Sequence, residues 1–162
     1  MTTTVNDGSG WSYVSGTAYA STANAYDGSA TTYATLTTTT AGAHVNDITG
    51  YNFSAIVPSD GTLTSVVVNV QQYETTLIRW DPPTIQAYDG VTAIGTAATL
   101  TERTSAGSEN VTLSSVTLAQ IRSANFKLRY TANKLTTTSN VAYFGWANVT
   151  VTYSPPNTTL TV

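Results

Sequence analysis

One histidine, nine carboxylates and no cysteine limit the chemistry this chain can attempt. His44 is the one side chain that titrates near neutrality in an ordinary setting. It sits in Ala43-His44-Val45-Asn46-Asp47, between two strand candidates, and reads as a loop residue. Catalytic triads are recognised by geometry and not by order, so sequence leaves one open, but no Gly-x-Ser-x-Gly elbow accompanies this histidine. Asp27, Asp60 and Asp89 each precede a glycine and read as turn formers, which also removes them as calcium ligands. Glu74, Glu102 and Glu109 remain for the paired carboxylates of glycoside cleavage. Their expected setting, strand ends and loops, speaks against that use. One histidine and no thiolate make no metal set, and no glycine-rich loop precedes a helix to cradle phosphate. The chain reads as a non-enzyme without metal or cofactor.

Aromatic residues are the better lead. Trp11, Tyr13, Tyr19, Tyr26 and Tyr33 crowd a segment otherwise made of small residues, and Tyr and Trp give contact area at low entropic cost. They are candidate partner contacts. Trp11, Tyr13 and Tyr26 are also candidates for stacking on a glycan, and the plain alternative is that all five cap the core near the N-terminus. The Asn-x-Ser/Thr triplets at Asn52, Asn110, Asn148 and Asn157 arise by chance in so Thr-rich a chain.

The elements that must carry these side chains are strands. From Ala147 onward, Ala147, Val149, Val151 and Tyr153 alternate with Asn148, Thr150 and Thr152. That two-residue period predicts a central strand with one face on a core, and Gly145 between Phe144 and Trp146 predicts a bulge or close backbone approach at its start. Phe126, Leu128 and Tyr130 alternate with Asn125, Lys127 and Arg129 in the same way. Further strands are expected at 32–39, 51–57 (ended by Pro58), 62–73, 75–80 (closed by Asp81-Pro82-Pro83), 97–104 and 110–113. Asp89-Gly90 joins 84–88 to 91–95 as a hairpin. One helical turn is expected at 117–123, capped by Thr117, plugging an end of the fold. Many short strands and almost no helix predict an all-β, antiparallel two-sheet sandwich, jelly-roll-like, over 11–153. Residues 1–10 bury little and read as a flexible N-terminal arm. Residues 154–162, opening with Ser154-Pro155-Pro156-Asn157, read as a C-terminal arm, with Pro155, Pro156 and Asn157 as further candidate contacts.

Composition narrows the partners. The chain has 162 residues, one domain's worth, and only 9 % are charged, against about 25 % in ordinary soluble domains. A net charge of −3 and a pI near 4.7 do not hold a phosphate backbone, so nucleic acid is not an expected partner. Arg122, Lys127, Arg129 and Lys134 bring four of the six basic residues within thirteen positions and read as the solvated edge of a strand. No leader follows Met1 and no apolar run is long enough to span a bilayer, so no membrane association is expected and the chain is expected in the cytosol unless exported.

The layout resembles a known family. Trp11, then Asn24-Ala25-Tyr26-Asp27-Gly28-Ser29 with Thr32-Tyr33-Ala34, an aromatic strand ending in Pro58, a Val-rich strand, and a closing Val149-Thr150-Val151-Thr152-Tyr153 are similar to small β-sandwich virion proteins of tailed bacteriophages. These occur as head decoration proteins or as domains of minor tail proteins. The resemblance covers most of residues 11 to 153 and transfers no catalytic residue. It implies a virion protein assembled in the host cytoplasm, a capsid decoration or cement protein bound to the major capsid protein or other virion proteins. A homo-oligomer, taken as a trimer, goes with it. The alternative is a carbohydrate-binding module or a tail receptor-adhesion domain, with a glycan as ligand.

Overall fold

The computed structural model describes residues 1–27 and 29–156. Ten strands run along the chain: β1 (Thr2–Asp7), β2 (Gly10–Ser15), β3 (Ala34–Thr38), β4 (Gly42–Thr49), β5 (Thr62–Glu74), β6 (Trp80–Asp89), β7 (Thr92–Thr99), β8 (Gly107–Thr112), β9 (Phe126–Lys134) and β10 (Asn140–Ser154). A four-residue helix, α1 (Leu118–Ile121), and two 3-10 turns, Thr22–Ala25 and Leu77–Arg79, complete it. Among the described residues no helix is long and apolar enough to cross a membrane.

All strand pairings are antiparallel, and they make two five-stranded sheets. In the first sheet β10 is central. It pairs along its length with β5, and β5 pairs with β8. Its other side is shared end to end, with β3 opposite Asn140 to Phe144 and β1 opposite Asn148 to Tyr153. The second sheet runs β2-β4-β9-β6-β7. Setting β1 and β2 aside, the order is β3-β10-β5-β8 facing β4-β9-β6-β7. From β3 onward every connection except the β6–β7 hairpin crosses between sheets. That is an eight-stranded jelly roll, an arrangement shared by viral capsid and lectin domains.

The alternation on β10 does what its side chains require. Ala147, Val149, Val151 and Tyr153 are buried and stand beside Val66, Val68 and Val70 of β5 on the same inner face, each buried valine contributing on the order of 1.5–3 kcal/mol. From β9, Phe126, Leu128 and Tyr130 complete the layer. A chain of rings runs through it: Trp11 lies 5.4 Å from Tyr19 and 5.1 Å from Phe144, which lies 4.7 Å from Tyr130. The Asp89-Gly90 hairpin forms as expected, and α1 carries the Thr117 cap, its hydroxyl accepting from the Gln120 N–H while the Gln120 side chain accepts from the Thr117 N–H.

Several expectations are corrected. Residues 1–10 are not a free arm. Thr2–Asp7 is β1, which gives β10 a partner beyond the end of β3. Residues 51–57 form no strand: Tyr51, Phe53 and Val57 turn inward and plug one end of the sandwich, with the Tyr51 hydroxyl donating to the Ala147 carbonyl at 2.8 Å. Residues 75–79 form a loop with a 3-10 turn. Asp81-Pro82-Pro83 does not close a strand but lies inside β6, where the register with β9 shifts between Asp81 and Thr84 and spares the prolines a ladder bond. His44 is not a loop residue but fully buried on β4. At the C-terminus Ser154 ends β10, Pro155 and Pro156 lie beyond it, and Asn157 with the rest of the expected arm falls outside the described residues.

Candidate functional site

The buried polar residues are the first place to look for chemistry, and most of them are structural. His44 Nδ1 accepts the Thr17 N–H at 2.8 Å, so its proton sits on Nε2, 3.0 Å from the Thr40 carbonyl. Burial and the nearby Lys134 charge hold this imidazole below its ordinary pKa, against the Thr40 bond. It is a neutral brace between two segments of chain. Lys134 is buried at the end of β9 and not on a solvated edge: its ammonium donates to the Thr136 and Thr138 carbonyls at 2.6 and 2.7 Å and closes the β9–β10 loop. Glu74, on β5, is 0 % exposed, and neither carboxylate oxygen has a hydrogen-bond partner among the described residues. Burial, then the Glu102 charge, pushes it up to about 8. The Tyr19 and Tyr130 hydroxyls are near enough to feel it: burial first raises both, followed by Glu74 for Tyr19 and by Tyr19 and then Glu74 for Tyr130. Sealed in the core, with Glu102 felt only as a charge, this acid has no opening to a substrate. Glu109 is spoken for, accepting from the Thr101 N–H and hydroxyl.

The two outer faces of the sandwich differ in kind. On the second sheet Asp47 is buried between two cations, Arg129 reaching it through Nε at 2.7 Å and Nη2 at 3.0 Å, and Lys127 at 2.7 Å. Burial raises its pKa, but the hydrogen bonds and charges of Arg129 and Lys127 outweigh that and hold the carboxyl below the usual range. Arg129 also lies over the Tyr88 ring, 4.3 Å from its centroid.

The first sheet's outer face carries rings and amides instead. Tyr143 stands opposite Tyr73, their rings parallel within 4° and 4.3 Å apart, and Tyr33 sets its ring perpendicular to both at 6.0 and 5.2 Å. The next rows of the sheet are Trp146, Gln71 and Ser108, and then Asn148, Asn69 and Asn110. Trp146 reaches this face only because of a bulge. The register shifts between Phe144 and Trp146, so Gly145 absorbs one residue and Tyr143 and Trp146, three apart, point the same way. A Cβ on Gly145 would meet Gln71 Oε1. Asn69 Nδ2 donates to Asn110 Oδ1 and to the Glu109 carbonyl.

A third surface is the end of the sandwich where the β3–β4, β5–β6, β7–β8 and β9–β10 loops gather. Ile78 is 80 % exposed there and Leu135 51 %. The Leu135 N–H donates to the Arg79 carbonyl, which ties their two loops together.

The aromatic residues singled out in the sequence do not share one surface. Tyr19 is buried, Trp11 and Tyr26 pack against the core, and the Trp11 indole donates to Asn46 Oδ1 at 3.2 Å. Tyr13 is exposed alone on edge strand β2, and Pro155 is exposed past β10. Only Tyr33 joins an outer cluster, with Tyr73 and Tyr143, seventy residues apart in sequence and brought together by register. No family model matches this chain, and no curated protein sequence matches it.

Proposed function

We propose that this chain is a structural protein of a tailed-bacteriophage virion, a decoration protein that seats on the capsid shell and works by adhesion, without turnover. The observation that carries the reading is the jelly roll bearing an apolar loop end, Ile78 beside Leu135 on tied loops. The resemblance of the spaced aromatics, Asp-Gly turns and Val/Thr strands supports the same assignment. Exposed branched side chains on short loops cost little to order on docking, and repetition over a shell multiplies weak contacts. Depleted particles mixed with purified protein and sedimented test it. The double substitution Ile78→Asp with Leu135→Asp lowers shell occupancy more than tenfold with the melting temperature unchanged. Val91→Asp, 93 % exposed at the opposite end, leaves occupancy as it was. Full occupancy by the double variant refutes the reading.

A further inference from the structure

We infer that the outer face of the first sheet is a binding platform for a neutral, extended glycan chain, with Trp146, Tyr143 and Tyr73 as its aromatic part and Asn148 and Asn69 as its polar part. The inference stands apart from shell docking, which uses the loop end.

Charge is the first argument. Among the described residues, β3, β5, β8 and β10 present no charged side chain on this face: Glu74 points into the core and Glu109 is bound to Thr101. Charge stands only at its margins, with Asp7 opposite Asn148 on the edge strand β1 and the Arg103 side chain against Gly107 of β8. Among the described residues the ion pairs lie on the other sheet. A ligand complementary to rings and amides without charge is itself uncharged and rich in hydroxyls.

Functional groups are the second. Amides offer donor and acceptor side by side, which matches neighbouring hydroxyls. Asn69 spends its NH2 on Asn110 and the Glu109 carbonyl and keeps Oδ1, while the Asn148 amide makes no bond within the described chain. Tyr73 and Tyr143 cover one another's inner faces, so they contribute ring edges and hydroxyls. Trp146 stands beside the amides, half-buried and in no ring pair. Apolar ring surface next to hydrogen-bonding groups suits a sugar, whose C–H faces and hydroxyls need both.

Shape is the third. The surface is a sheet face, and two depressions of the described residues lie elsewhere, one lined by Thr49, Gly90 and Phe126, the other by Ile56, Asp60 and Arg122. A flat face grips a chain lying across it and not a monosaccharide in a pocket.

The test is co-sedimentation of the purified full chain with insoluble cellulose, chitin and starch, followed by titration calorimetry with neutral oligosaccharides of the polymer retained. Retention on at least one polymer is expected, with association weakened tenfold or more in Trp146→Ala and threefold or more in Asn148→Ala, and unchanged in Tyr88→Ala on the opposite face. Circular dichroism checks each fold, and Asn148→Ala, on the sheet surface, keeps the test open if Trp146→Ala misfolds. Absence of wild-type binding to all three polymers overturns the inference, as does binding that survives both substitutions. Either result leaves the shell-docking test with Ile78 and Leu135 standing.

Discussion

Glu74 makes the strongest test of how the interior works. A carboxyl that titrates at 4.5 in an ordinary setting and about 8 in the fold is held protonated by its burial. Its contribution to stability is fully present below pH 4.5 and is lost as pH rises through about 8. The unfolded chain gives up the proton first, and each pH unit between the two values costs about 1.4 kcal/mol. At pH 7 that amounts to about 3 kcal/mol, a large part of the 5–15 kcal/mol of a typical domain. Glu74→Gln keeps the shape and removes the titration. Urea unfolding at half-unit steps from pH 5 to 8.5 should show the wild type losing stability steeply, with an unchanged m-value, and the variant losing less than half as much. His44 acts in the opposite sense, since its lowered pKa makes stability fall as pH drops below 6.5. It is common to both proteins and cancels in their difference. A variant that keeps the wild-type slope refutes the assignment of Glu74 as the group responsible.

Asp47→Asn leaves Lys127 and Arg129 facing one another without their anion, and a loss of about 2–4 kcal/mol is expected in chemical denaturation. Because the Asp47 pKa is lowered in the fold, its contribution is present above about pH 3.8 and is lost as pH falls through the lowered value, so this variant also flattens the acid limb below pH 4. Gly16→Ala should cost about 2 kcal/mol or more, measured as a drop in melting temperature: Gly16 has φ of +89°, and a Cβ there would lie 2.5 Å from the Ala43 carbonyl and 2.7 Å from His44 Nδ1.

Strands that bury one face were legible as alternation. β9, β10 and the β6–β7 hairpin lie where period and turn chemistry put them. β4 was not legible, because His44, Asn46, Asp47 and Ile48 are all buried and the strand shows no polar face. β1 failed for the opposite reason, since Thr2 to Thr4 at a sheet edge look like any solvated segment. The aromatic period of 51–57 was real, but those rings fill an end of the core without joining a ladder. At the candidate platform only Tyr33 carried a local signal. Tyr73 and Tyr143 meet through strand register, and the Gly145 bulge reverses the parity that would have sent Trp146 inward.

The pairing of β10 with β1 and β3 has a bearing on how the polypeptide is made. While the ribosome is still short of residue 140, β1 and β3 have no edge to join, and β4 has only β2 until β9 emerges. Ala34 and Leu36 of β3 and the inner face of β5 therefore wait uncovered for the last strand. Folding dominated by such distant contacts proceeds in milliseconds to seconds. Nascent chains stalled before β10 will collect in inclusion bodies or on chaperones, and release of the last strand is the step that lets the barrel-like roll close.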